Sequence, residues 1–281
     1  KALGHSLGEM DHTGDYLVSI SKLTKWLVSI ARQVGVEVLF GFSAQDILWE
    51  NDTVAGVILK EQGLDKHRKQ QLNYVGPEKI YADAVVLAEG CDGLVTENFI
   101  EKAGLKRKSP QLFSLGIKEI IKVSAAQYRA FGDKTCIHSL GYPLWTPVTG
   151  PGMFGGSFMY SMGDNAIAVG LIAGLDFHYC DFNPQEALSL FKKTSFARQY
   201  LKGGLVIEAG AKMIPEGGLN AIPRDPETDE IGQGNTVILG DGAGFVNMLQ
   251  IKGLSNAIHS GMLAGDAIAK NLENPKNIAL A

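Results

Sequence analysis

The spacing of apolar positions changes several times along the chain, and each change marks an element. Between Lys22 and Val34 the residues Leu23, Trp26, Leu27 and Ile30 recur at helical spacing, and Gly35 offers a stop. Val36 to Phe40 reads as a short strand. Ala44–Glu50 and Thr53–Leu59 read as paired strands across Asn51-Asp52, two residues that tolerate the backbone of a tight turn. Residues 63–76 are charged, as a surface loop or a hairpin tip would be. Lys79–Ala88 ends in an apolar run with strand character. It leads directly into Glu89-Gly90-Cys91-Asp92-Gly93, after which Leu94, Phe99 and Ile100 predict a helix reaching Ala103.

Ser114–Val123 resumes strand character, and Ala125–Phe131 fits a short helix. Residues 138–161 mix Tyr142, Trp145, Phe154, Phe158 and Tyr160 with Pro143, Pro147, Pro151 and the pair Gly155-Gly156. Ala166–Leu175 reads as a buried strand, and pairing of Gly156–Ser161 with Ala166–Leu171 across Gly163-Asp164-Asn165 makes a hairpin. Asn183-Pro184 followed by Glu186 is a helix start, with Leu188 and Phe191 facing inward before Lys192. Gly203–Ala211 and Met213–Ile222 look like strands, interrupted by Pro215-Glu216-Gly217-Gly218. Residues 224–234 are charged and loop-like. Val237–Leu239 is a buried strand, a turn with Asp241 between Gly240 and Gly242 follows, and Gly244 and Gly253 punctuate what comes next. A last helix runs from Leu254 to Ile268 on Leu254, Ala257, Ile258, Gly261, Met262, Gly265 and Ile268. Strands and helices in this order predict an α/β and α+β chain without internal repeats.

Composition narrows the function. With 45% hydrophobic residues in 281, the chain can bury a core as one large domain or two interleaved ones. The 34 glycines sit largely within apolar segments, which argues for tight turns and close backbone approach. A net charge of −4 provides no basic footprint for nucleic acid. The three cysteines, Cys91, Cys136 and Cys180, are odd in number and far apart. That excludes a disulfide scaffold and any zinc or cluster spacing, and points to a reducing compartment. No apolar run is long enough to span a bilayer, and no signal peptide is visible. The chain begins without Met, and no strand with a glycine-rich phosphate turn lies near Lys1, so it reads as a fragment of something longer.

Two constellations carry candidate chemistry: Glu89, Gly90, Asp92 and Gly93 after one strand, and Gly240, Asp241, Gly242 and Gly244 after another. Each sets a carboxylate and free backbone N–H groups at the start of a helix, where a phosphate, ribose or other anionic oxygen could be held. The alternatives are turns that use Asp and Gly for backbone tolerance, and an ordinary crossover. No side chain is singled out as catalytic. Cys136 with His138, and His178 with Cys180, lack the second pair a metal would need. His259 is expected to pack or face solvent. Lys118-Glu119 could be a functional pair beside a cofactor or a salt-bridged sheet edge. No nucleophile elbow is present for hydrolase chemistry.

In order along the chain, Asp15-Tyr16-Leu17-Val18, Ala88 to Gly93, Leu115 to Glu119, Leu140 to Leu144, Gly155 to Tyr160, Gly174-Leu175-Asp176, Pro215 to Gly218, Ile222-Pro223, and Gly244 to Asn247 through Lys252-Gly253 together resemble electron-transfer flavoprotein–ubiquinone oxidoreductases. The related nitrogen-fixation-associated flavoproteins and the geranylgeranyl reductase superfamily share the resemblance. It implies part of an interleaved FAD-binding fold of the glutathione reductase and hydroxybenzoate hydroxylase type, with a mixed-sheet quinone-binding domain. Residues 1–112 and 230–281 would belong to the FAD-binding domain, and 113–229 to the quinone or substrate domain. Asp241 would lie near the ribityl or pyrophosphate part of FAD, and Lys252, Gly253 and Leu254 near the pyrimidine side of its ring. The Glu89–Gly93 turn would help hold the cofactor. Gly155 and Gly156 would contact the quinone headgroup, with Phe158 among its apolar walls.

By the same resemblance, electrons would pass from reduced electron-transfer flavoprotein to a membrane quinone. The N-terminal βαβ that grips the ADP half of FAD is missing from this chain. A [4Fe–4S] cluster would lie in a ferredoxin-like domain or subunit outside it. The protein would be peripheral to the membrane, on the cytoplasmic face in bacteria or at the mitochondrial inner membrane in eukaryotes. A prenyl-lipid reductase using the same flavin, and a non-catalytic docking fragment, are the alternatives.

Overall fold

In the computed structural model, residues 14–146, 150–151, 153–177, 181–248 and 250–271 are described. In chain order the elements begin with α1 (Ile20–Gln33), β1 (Ala44–Glu50), β2 (Thr53–Leu59), β3 (Gln62–Leu64), β4 (Gln70–Val75), β5 (Glu78–Tyr81) and β6 (Val85–Leu87). Next come α2 (Leu94–Lys102), β7 (Phe113–Lys122), α3 (Ala125–Phe131), β8 (Cys136–Leu140), β9 (Trp145–Thr146), β10 (Gly150–Pro151), β11 (Gly155–Ser161) and β12 (Ala166–Gly174). The chain continues through α4 (Pro184–Lys193), α5 (Ser195–Leu201), β13 (Leu205–Pro215), β14 (Gly232–Gln233), β15 (Thr236–Ile238), α6 (Gly240–Ala243) and α7 (Leu254–Lys270). They form two compact units, one of Leu39–Gln111 with 215–271, the other of Leu112–Ile214 with 14–38.

In the first unit β1, β2 and β5 make a three-stranded sheet, and β1 and β2 turn through Asn51 and Asp52 at φ 49° and 60°. A separate sheet, ordered β14-β15-β6, contains the parallel pair β15 and β6. Helix α2 shares one core with both: Val95, Phe99 and Ile100 pack with Ile47 and Val54 from β1 and β2, and with Val85, Leu87 and Ile238 from β6 and β15. Trp49 stacks on Phe99 at 5.9 Å, and Lys102 lies over the Trp49 ring. The buried Asn235 side chain donates to Val54 O (2.8 Å) and Asp83 O (3.0 Å), joining the segment before β15 to β2 and to the approach of β6.

The second unit is a five-stranded sheet ordered β13-β7-β12-β11-β8. Strand alternation sends Ile117 and Ile121 of β7, Ile167, Val169 and Leu171 of β12, and Met159 of β11 to one face. There they meet Phe131 of α3, Leu188 and Phe191 of α4, and Ala197 and Leu201 of α5. Helix α4 starts where Asn183 Oδ1 accepts from Gln185 N and Glu186 N, with Pro184 in the first turn.

Several expectations need correction. Val36–Phe40 forms no strand, because no neighbouring strand pairs with it among the described residues. The two strands expected over Gly203–Ala211 and Met213–Ile222 are one, ending at Pro215, which has no N–H to continue a ladder. Helix α5 and strand β8 lie where no element was expected, and of the two readings of residues 63–76 the hairpin is the one found, as β3–β4. Lys118 and Glu119 are not a pair, because adjacent strand residues face opposite ways. Glu119, only 6% exposed, turns to the helix side, where Lys192 Nζ stands at 2.5 Å and Gln185 Nε2 donates at 2.9 Å. Nor is it at a sheet edge, since β7 lies between β13 and β12.

Candidate functional site

The two glycine-flanked acids, distant in sequence, are brought together by the parallel pairing of β6 with β15. Val85, Val86 and Leu87 stand opposite Thr236, Val237 and Ile238, and Leu239 N continues the ladder to Leu87 O at 2.9 Å. Both strands therefore end at the same level, and both turns leave from their carboxyl ends. That is where open α/β sheets place ligands. Gly90–Asp92 forms a 3-10 turn, and Gly240–Ala243 the short α6. A Cβ on Gly242 would stand 3.5 Å from Gly90 O, so the turns pack backbone against backbone.

The turn at Asp241 is fitted tightly to α7. Gly240 has φ 57°, and a Cβ there would lie 3.2 Å from the Cβ of Ala257. Ser260, buried in α7, accepts from Gly240 N at 3.2 Å and donates to Ala257 O at 2.9 Å. Asn247 and Lys252 exchange backbone hydrogen bonds of 2.9 and 3.0 Å, and this tight turn delivers Gly253 to the helix start. Asn256 Nδ2 holds Phe245 O at 2.7 Å. Gly253, the N-cap of helix α7, has no side chain to offer the first N–H groups. A Cβ at Gly253 would stand 3.6 Å from Asp241 Oδ1, which puts the carboxylate beside that open helix end. Exposed backbone donors at a helix N-terminus, a left-handed Gly244 (φ 84°) and a neighbouring half-buried carboxylate suit a ligand with both acceptor oxygens and hydroxyl donors.

The turn at Glu89 is built differently. Glu89 Oε2 accepts from Thr96 N (2.6 Å) and Thr96 Oγ1 (2.8 Å), so its carboxylate already occupies the N-terminus of α2. Exposed Asp92 remains at the rim, beside a cavity of about 370 Å³ walled by Ala44, Lys60, Glu61, Leu94 and Val95. Glu89→Ala is expected to cost about 1 kcal/mol through loss of the helix cap, measured by urea denaturation. Gln111 carried no signal in the sequence. Its Oε1 accepts from Gly217 N at 2.7 Å, and its Nε2 stands 2.6 Å from where a Gly244 Cβ would be. One amide thus fills the space left by two glycines and ties the Pro215–Gly218 loop to the Asp241 turn.

In the second unit, Gly156 and Phe158 share the face of the sheet away from α3–α5, while alternation turns Gly155 the other way. Gly155 and Gly156 have φ 137° and 155°. A Cβ on Gly155 would fall 1.9 Å from Ile172 O, and one on Gly156 2.0 Å from Ser139 O. The sheet itself therefore demands both glycines. Ser139 Oγ and Ser157 Oγ both donate to Tyr142 O, at 2.7 and 3.1 Å, and fasten the loop after β8 beside this pair. Cys136 Sγ lies 3.3 Å from His138 Nε2, and burial pushes the Cys136 thiol pKa up. Among the described residues no three His, Cys, Asp or Glu side chains gather as a metal would require. His259 is exposed on α7, and His178 and Cys180 lie outside the described residues. No described helix is long and apolar enough to cross a membrane.

This architecture is shared with flavin enzymes. A geranylgeranyl bacteriochlorophyll reductase-like protein from Thermoplasma acidophilum superposes with a TM-score of 0.65 at 20% identity, over 90% of this chain and 54% of that one. A flavin-dependent brominase gives 0.62 at 17% identity, over 93% and 58%. The class is the FAD-binding fold of reductases and halogenases.

Sequence narrows it further. Residues 113–214 match the ubiquinone-binding family of ETF-QO. The mitochondrial electron transfer flavoprotein-ubiquinone oxidoreductase of Arabidopsis thaliana is 35% identical over 92% of this chain and 39% of its own length. The Pseudomonas aeruginosa enzyme of the same name is 34% identical over 94% and 46%. The family these matches define is that of electron transfer flavoprotein-ubiquinone oxidoreductases, and this chain is related to it over nearly its whole length. It spans less than half the length of these relatives.

Proposed function

We propose that this chain is the part of an electron-transfer flavoprotein–ubiquinone oxidoreductase that holds the flavin ring and the quinone. The observation that carries the reading is the match of residues 113–214 to a ubiquinone-binding family, on the unit whose sheet turns Gly156 and Phe158 away from α3–α5. FAD supplies the electron-carrying ring. Asp241 would lie near its ribityl or pyrophosphate part and accept from the ribityl hydroxyls, and the start of α7 at Lys252, Gly253 and Leu254 would donate to ring oxygens on the pyrimidine side. Gly90, Asp92 and Gly93 would help hold FAD from the adjoining turn, and Glu89 fixes the helix behind them. The domain limits follow this assignment: residues 1–112 and 230–281 hold FAD, and 113–229 hold the quinone. Electrons arrive from reduced electron-transfer flavoprotein, and a [4Fe–4S] cluster lies in residues or a ferredoxin-like subunit beyond this chain. The protein works at a membrane surface, the mitochondrial inner membrane in a eukaryote or the cytoplasmic face in a bacterium.

The whole protein is expected to show flavin absorption bands, and Asp241→Ala to weaken FAD binding by about tenfold, the worth of one charge-assisted hydrogen bond. Titration with FAD, followed by flavin fluorescence, measures it. A colourless protein that takes up no FAD overturns the assignment. A flavoprotein whose reduced form reduces a prenyl double bond instead of a quinone moves it to the prenyl-lipid reductases.

A further inference from the structure

The face of the five-stranded sheet turned away from α3–α5 carries an unusual cation. Three rows cross it from β8 to β7: Leu140, Gly156, Ile172 and Gly116; then His138, Phe158, Gly170 and Lys118; then Cys136, Tyr160, Ala168 and Ile120. In the middle row the Phe158 ring reaches over Gly170, where a Cβ would come within 2.2 Å of Phe158 Cζ. Phe158 and Tyr160 stack with centroids 5.8 Å apart and planes 18° from parallel. The result is two near-parallel aromatic rings beside Gly156, Gly170 and Ala168, with Lys118 in the same row as Phe158.

Lys118 is half-buried in a strand that lies inside the sheet. Its Nζ reaches the Tyr160 hydroxyl at 3.4 Å, and among the described residues no carboxylate lies within ion-pair distance of it. Lysines that lose water usually gain a counter-charge. Glu119, next in sequence, has taken Lys192 on the opposite face, so it cannot serve. A shielded ammonium held by a neutral phenol beside these rings is arranged for an anionic or electron-rich oxygen that comes and goes.

We infer that Lys118 and Tyr160 form the polar anchor of a planar-ring site on this face, which binds a quinone oxygen more strongly as it gains negative charge. This rests on the quinone reading above and adds which side chains recognise the reduced ring. Lys118 Nζ and Tyr160 OH donate to that oxygen, while Phe158 and the backbone at Gly156 and Gly170 hold the ring plane. They are binding residues that favour the electron-rich form.

The test needs no turnover. Binding of 1,4-naphthoquinone and of 2-hydroxy-1,4-naphthoquinone, which is anionic at neutral pH, is measured by tryptophan and tyrosine fluorescence quenching with the whole protein. Preference for the anion is expected to be about tenfold, the scale of one charge-assisted hydrogen bond. Lys118→Met should abolish the preference, Lys118→Arg should retain it, and Tyr160→Phe should reduce it. An anion preference unchanged in Lys118→Met overturns the anchor and leaves quinone binding standing. Failure of the unmodified protein to bind either ring overturns the quinone reading together with the anchor.

Discussion

Gly156→Ala is expected to destabilise the unit built on the five-stranded sheet by about 4 kcal/mol, whether or not a quinone is present. The residue holds φ at 155°, where an L side chain is strained by about 1–3 kcal/mol. The new methyl would lie 2.0 Å from Ser139 O, a backbone atom of the paired strand β8 that cannot rotate away. Relieving the clash must part β11 from β8, and overpacking of this kind adds about 1–3 kcal/mol. Gly261→Ala is the control: it sits on α7 with nothing within 4 Å of an added Cβ, and is expected to be neutral or stabilising by up to about 1 kcal/mol. Urea denaturation of both variants measures the difference. If Gly156→Ala kept full stability and lost only quinone binding, the glycine would serve the ligand and not the sheet.

The second large effect concerns the opposite face. Lys192→Met is expected to cost about 3 kcal/mol, because it leaves the Glu119 carboxylate buried without its counter-charge, beside the Gln185 amide alone. The value sits at the low end of the range for broken buried pairs because the Lys192 side chain keeps 24% of its surface in water. Converting both partners, Glu119→Leu with Lys192→Met, should recover most of the loss, since the surroundings are Ile, Leu and Phe side chains of the core. A lowered denaturation midpoint with unchanged slope identifies the single variant's effect as stability. Equal losses in the single and double variants would show that the ion pair contributes nothing beyond packing.

Both predictions concern residues whose importance was visible in the sequence while the reason was not. Gly155-Gly156 stood out beside aromatics, and the resemblance attached them to a ligand. Their collision with the carbonyls of Ile172 and Ser139 needs the neighbouring strands in place. Lys118-Glu119 stood out as charges in an apolar strand. That they part to opposite faces follows from strand alternation alone, but Lys192 and Gln185 as the partners of Glu119 needed α4 laid over β7.

The candidate flavin crevice divides in the same way. Asp92 and Asp241 were legible as acids among glycines after apolar strands, because strand ends and tight turns have local signatures. Their adjacency came from the β6–β15 pairing. How each turn meets its helix also came from the structure: Glu89 fills the start of α2, and Gly253 has no side chain to offer that of α7. Gln111, Asn235 and Ser260 went unnoticed, since a lone polar residue with a distant backbone partner leaves no period and no motif.

By itself the sequence determined most of the elements, the hairpin turns at Asn51-Asp52 and Gly163–Asn165, and the start of α4 at Asn183, because periodicity, φ preference and capping act within a few residues. It also carried the family relationship. Only the tertiary structure decided that two distant turns lie side by side, that Lys118 faces away from α3–α5 with no carboxylate partner among the described residues, and that Glu119 is buried in an ion pair. Those outcomes depend on strand order and on which helix covers which face, and such long-range pairings are settled by burial of the whole core rather than by any local stretch.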